Sequence, residues 1–72
     1  MIKIKFQIPN EFKTRIIVYN FLGKEVKTLM DEKLISGEHE ILFDTNDLPE
    51  GIYFYKLEIE HFSETKKIIL TK

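Results

Sequence analysis

Cysteine is absent from the 72-residue chain, which excludes disulfides and thiolate metal sites. An excess of either charge is absent too. Eleven basic and twelve acidic residues leave a net charge of −1, which gives no electrostatic reason to expect nucleic acid or an anionic membrane as partner. No run approaches the roughly 20 apolar residues of a membrane-spanning helix. Met1-Ile2-Lys3-Ile4-Lys5-Phe6 has no unbroken apolar stretch and does not read as a signal peptide. If the protein is exported, either another segment carries the export signal or this chain is a fragment. Glycine is sparse and scattered, at 23, 37 and 51, so no phosphate-cradling loop can form.

Catalytic raw material is equally thin. Ser36 and Ser63 each stand beside a turn, and no Gly-x-Ser-x-Gly elbow occurs. His39 and His61 lie far apart and lack a Cys or close His/Asp partner at zinc-ligand spacing. Each reads as an ordinary strand or turn residue. Asp44, Asn46, Asp47 and Glu50 gather oxygen ligands in one loop, but not in the register of an EF-hand. Loop Asp and Asn residues commonly bond their own backbone, and that is the reading preferred here. A chain this short cannot easily fill its core and also hold a preorganised pocket. The expectation is a protein that is not an enzyme, with no cofactor and no metal.

What the chain does have is strand patterning. Its length accommodates one domain, with a stability of about 3–5 kcal/mol. Its 43% hydrophobic and 32% charged residues suit a folded domain better than a disordered tail. Ile2, Ile4, Phe6 and Ile8 alternate with Lys3, Lys5 and Gln7, the period of a half-buried strand. Pro9-Asn10-Glu11 breaks it. Residues 14–19 are rich in β-branched side chains and form a second strand. Asn20-Phe21-Leu22-Gly23 follows as a hairpin connection, with Gly23 free to take positive φ.

Residues 24–30 make the third strand, with Val26 and either Leu29 or Met30 in the core. Alternation fails at Leu29, which predicts a bulge or strand end. Helical spacing competes over 24–34 alone. Asp31-Glu32-Lys33 reads as a polar connector, and Ser36-Gly37 as a turn. In 38–43, His39, Ile41 and Phe43 share one face. Residues 44–51 form the longest loop. In 52–60, Tyr53, Tyr55, Leu57 and Ile59 share a face, while Ile52 and Phe54 point the other way as better candidates for a contact surface. Residues 65–71 are the last strand.

Six or seven short strands separated by frequent turns predict an all-β, immunoglobulin-like antiparallel sandwich. Its core draws on Ile4, Phe6, Ile16, Val18, Val26, Ile41, Phe43, Tyr53, Tyr55, Leu57, Ile68 and Leu70. Lys66, Lys67 and Lys72 read either as protection of an edge strand against stray pairing or as groups that a receptor recognises.

Four blocks carry a family resemblance. They are Val18-Tyr19-Asn20-Phe21-Leu22-Gly23-Lys24-Glu25-Val26, Leu34-Ile35-Ser36-Gly37-Glu38-His39, Leu48-Pro49-Glu50-Gly51-Ile52-Tyr53-Phe54-Tyr55-Lys56-Leu57 and Lys66-Lys67-Ile68-Ile69-Leu70. In order, spacing and terminal position they resemble the C-terminal sorting domain of type IX secretion cargo in Bacteroidetes and related bacteria. The resemblance implies a single domain over 1–72 whose Pro-x-Gly-x-Tyr motif falls on Pro49, Gly51 and Tyr53. It implies a lysine-rich final strand at Lys66, Lys67 and Lys72.

It also implies partners: the type IX translocon and its shuttle proteins, a sortase-like surface peptidase, and an N-terminal cargo domain outside this chain. Neither nucleic acid nor membrane insertion is expected. The precursor would cross the periplasm and end on the outer-membrane surface or be released. The competing reading is an immunoglobulin-like scaffold module, similar to those of flagellar hook-capping or cell-surface proteins.

Overall fold

The computed structural model describes residues 2–71. Six strands form: β1 (Ile2–Ile8), β2 (Phe12–Asn20), β3 (Glu25–Leu34), β4 (Gly37–Phe43), β5 (Gly51–Ile59) and β6 (Phe62–Leu70). No helix occurs among the described residues, so the helical spacing over 24–34 yields to strand pairing. The strands make two antiparallel sheets, β1-β4 and β3-β2-β5-β6. The chain changes sheet three times, between β1 and β2, β3 and β4, and β4 and β5. This is the small immunoglobulin-like sandwich that the patterning predicts.

Alternation explains the packing. Ile4, Phe6 and Ile8 of β1 and Phe43 of β4 meet Ile16, Val18, Leu34, Tyr53, Leu57, Ile59, Ile68 and Leu70 of the larger sheet. Thr14 is buried in the same layer of β2, and its hydroxyl donates to the Phe12 carbonyl at 3.3 Å, which offsets part of its desolvation. His39 stacks on Phe6 with ring centroids 5.7 Å apart, and its Nε2–H donates to the Ile35 carbonyl at 2.8 Å. That bond closes the β3–β4 corner. At the β2–β3 turn the Asn20 side chain accepts from the Leu22 and Lys24 amides, both at 3.0 Å. Gly23 takes φ 83°, as the hairpin requires.

The third strand departs most from expectation. Asp31-Glu32-Lys33 is not a connector, because β3 runs unbroken to Leu34. Those charged residues lie opposite Arg15, Thr14 and Lys13 of β2. Lys13 pairs with Asp31 at 3.8 Å and Lys33 with Glu11 at 3.8 Å. Opposite charges across a ladder support a polar edge strand that its composition alone does not.

The expected irregularity at Leu29 is present, since the register jumps from Ile16↔Met30 to Ile17↔Thr28. A second jump, between Val18↔Lys27 and Tyr19↔Glu25, leaves Val26 without a partner. Val26 is therefore 38% exposed and not the core residue expected. Ile41 and Tyr55 are half-buried against the core, and Leu29 and Met30 both pack there. Ile8, Leu34 and Ile59 join the buried cluster.

The outer face of the larger sheet is polar in its lower half. Arg15 sits opposite Glu58, and its Nε and Nη2 donate to Glu58 Oε1 at 3.0 and 2.7 Å. That hydrogen bond holds the Glu58 carboxyl below its ordinary range, against the opposing pull of desolvation. Folding therefore favours the ionised form. The increment is present above the unfolded pKa, about 4.3, and is lost as the pH falls through the lowered folded value. It is small, because the pair is screened by solvent. Glu58→Gln should flatten the loss of stability on acidification, read as urea midpoints on either side of about pH 4. Phe43, fully buried, ties β4 to the core. Phe43→Ala should cost about 3–5 kcal/mol, as much as the whole fold supplies. Circular dichroism should then show an unfolded chain at room temperature.

Candidate recognition surface

Two groups of residues stand out in the sequence, the Pro49-Gly51-Tyr53 motif and the terminal lysines, and the structure places them differently. The motif closes the long loop, 44–50 in the structure, and opens β5. The hydrogen-bonded turn of that loop lies before Pro49, where the Leu48 amide donates to the Thr45 carbonyl at 3.1 Å. Asp44 Oδ1 accepts from the Asn46 amide at 3.0 Å, and Lys27 reaches the Asp44 carbonyl at 3.1 Å and Asp47 at 3.5 Å. Asp44 thus organises the loop's own backbone, and Asp47 pairs with Lys27. No group of three or more metal-ligating side chains gathers among the described residues.

Pro49 then leads the chain into β5. Its ring fixes φ, one of the two torsions that set where its carbonyl points. That carbonyl accepts the Tyr53 hydroxyl at 2.8 Å. The ring of Tyr53 is buried in the core while its hydroxyl reaches back four residues, the geometry of a tyrosine corner. Gly51, between them, has φ 151°, a conformation that a β-carbon disfavours although nothing lies within 4 Å of where one would stand. The three motif residues therefore form one mechanical unit: an accepting carbonyl, a permissive hinge and an anchored ring. Sequence reasoning finds Tyr53 as a core residue. The carbonyl that receives its hydroxyl has no signature beyond the four-residue spacing.

The lysines do not form one cluster. Lys66 lies opposite Tyr55 and Lys67 opposite Phe54, so they project from opposite faces of β6. Lys66 turns toward the inner face and pairs with Glu64 at 3.5 Å. Lys67 stands on the outer face, in the same layer as Ile52, Phe54 and Ile69. Ile52 is 41% and Ile69 62% exposed, and they face each other across the β5–β6 ladder. This apolar pair stands beside a cation, on the outward face that the strand pattern assigns to Ile52 and Phe54. The opposite parity of Lys66 and Lys67 was readable from their adjacency in a strand. Lys72 lies outside the described residues.

If Pro49, Gly51 and Tyr53 act as a unit, each is measurable in stability. Tyr53→Phe should lose about 0.5–1.5 kcal/mol. Gly51→Ala should lose about 1–3 kcal/mol through backbone strain alone. Urea unfolding followed by circular dichroism checks both. A fully stable Gly51→Ala protein would show that the hinge tolerates a side chain.

No curated protein and no solved structure matches this chain significantly. A family model does, over residues 1–71, and its description is the secretion system C-terminal sorting domain. The match spans all six strands, the Pro49-Gly51-Tyr53 corner and the β6 lysines Lys66 and Lys67. The chain belongs to the family of C-terminal sorting domains of the type IX secretion system.

Proposed function

We propose that residues 1–72 act as a single folded address label, without catalysis, which the type IX outer-membrane translocon and its shuttle proteins recognise. Membership of the family carries the coarser part of this reading. The domain is a C-terminal sorting signal, it engages the type IX secretion machinery, and it implies export through the envelope as part of a secreted or surface-attached precursor. The family is not an enzymatic one. The scaffold-module alternative is not favoured.

The finer reading is our own. The cargo lies N-terminal to this domain, crosses the periplasm, and is released from the domain by a sortase-like surface peptidase. Pro49, Gly51 and Tyr53 build the fold, and Lys66, Lys67 and Lys72 are read by a receptor. The exposure of Lys66 and Lys67 on an edge strand supports that division. So does the burial of Tyr53. An edge strand offers both its backbone groups and its side chains to a partner.

The test is a fusion of residues 1–72 behind an exported reporter in a type IX-competent host. The reporter should reach the cell surface or the medium. Retention in the periplasm, while an authentic sorting domain is exported, would overturn the proposal. Replacing Lys66, Lys67 and Lys72 together with alanine should lower export several-fold at unchanged thermal stability. Unchanged export would return those lysines to edge protection.

A further inference from the structure

The smaller sheet is too narrow for the larger one. Two strands cover four, and the uncovered strip lies beside β1. On β6, Phe62, Glu64, Lys66, Ile68 and Leu70 all share the inner face, being opposite Ile59, Leu57, Tyr55, Tyr53 and Gly51. Ile68 and Leu70 are buried, yet Phe62, Glu64 and Lys66 are exposed, Phe62 to 56%. The floor left open is a groove of about 250 Å³ between residues 4–7 of β1 and the side chains of Tyr55, Leu57, Phe62, Glu64 and Lys66. At one end it adjoins a wider cleft of about 660 Å³, which shares Gln7, Ile59 and Phe62 with it and is lined further by Pro9, Phe12, Glu60 and His61.

The wall of this groove is a strand edge. β1 pairs with β4 alone, so its other side has no strand partner among the described residues. A strand laid there, one spacing of about 4.8 Å beyond β1, would continue the smaller sheet and cover the exposed part of β6. Every second side chain would point down onto Tyr55, Leu57 and Phe62, an apolar stretch beside the Glu64–Lys66 ion pair that favours apolar residues. The side chains between would stand beside Lys3, Lys5 and Gln7 on the solvent face of β1.

Charge selects the occupant. A second β1 would set Lys3 and Lys5 against lysines, which is unfavourable across a ladder. On its paired side β1 already shows what it accepts. There β4 presents Glu38, Glu40 and Leu42 to solvent and Ile41 and Phe43 to the core. Lys3 bridges to Glu40 at 3.7 Å, whereas Lys5 has no ion pair among the described residues.

We propose that the free edge of β1 is a strand-acceptor site that takes an extended segment of another protein, apolar at alternate positions and acidic between them. The added strand completes a three-stranded smaller sheet and buries Phe62. This deepens the sorting reading by naming a surface through which the machinery can hold the domain. It differs from recognition of the β6 lysines, since the backbone of β1 makes the main contacts.

The test uses the full 72-residue chain and a synthetic peptide of residues 37–43, the β4 sequence, as probe. Amide chemical shifts are followed by NMR during titration. Saturable changes should be confined to β1, to Tyr55 and Leu57, and to Phe62 through Lys66, with slowed hydrogen exchange in β1. Lys5→Glu should weaken binding about five-fold. A peptide with lysine in place of its two glutamates should reverse that preference, binding Lys5→Glu better than the unaltered domain.

No saturable change, changes confined to other edges, or affinity insensitive to the charge swap would overturn the proposal. So would self-association of the domain through β1, seen as concentration-dependent sedimentation, because a second copy would then be the occupant. Peptide binding and reporter export are separate readouts, so failure of one is distinguishable from failure of the other.

Discussion

The docking of the β1-β4 ribbon onto the larger sheet is the contact on which everything else rests. A two-stranded ribbon is marginal in water by itself. The four-stranded sheet has no other cover for its apolar inner face among the described residues. Each therefore depends on the other through a single layer of side chains, with Phe43, Ile8, Ile16 and Val18 fully enclosed. The periphery is held by weaker means. Ion pairs line the β2–β3 and β2–β5 ladders, the Asn20 side chain braces one turn, and the Tyr53 hydroxyl braces the corner into β5. These set geometry more than they add stability.

The corner explains why a sorting-domain motif can be built of structural residues. Pro49, Gly51 and Tyr53 fix where β5 begins, and β5 is the strand against which β6 is laid. A slip of one residue at the corner would exchange the faces of Ile52 and Tyr53 and, through the ladder, of Lys66 and Lys67. The motif thus governs which lysine faces the groove and which faces the outer surface.

Much of this was legible in the sequence where alternation is strict. In β1 and in 52–59 the period of two names both faces, and Tyr53, Leu57 and Ile59 are buried as the pattern demands. The bulge at Leu29 was visible as a break in that period. Legibility failed where a residue's fate depends on another strand. Asp31-Glu32-Lys33 looks like a loop until the opposite charges of Glu11, Lys13 and Arg15 are set against it. Val26 looks like core until a second bulge on the same ladder leaves it unpaired. The strip beside β1 has no local signature at all. It arises from how six strands divide between two sheets, and no segment of the chain encodes that division alone.

That division also has a temporal side. The β2–β3 and β5–β6 ladders join neighbours along the chain, whereas β1 meets β4 only across the intervening hairpin, with Ile2 beside Phe43. Local pairings close early, and distant ones carry the larger entropic cost of loop closure. The wall beside β1 thus rests on a distant pairing, as the β2–β5 ladder does, and stands only when the ribbon has docked. β6, by contrast, pairs with its neighbour along the chain. A machine that grips the wall of β1 would be inspecting as well as binding, and would pass only molecules whose folding is complete.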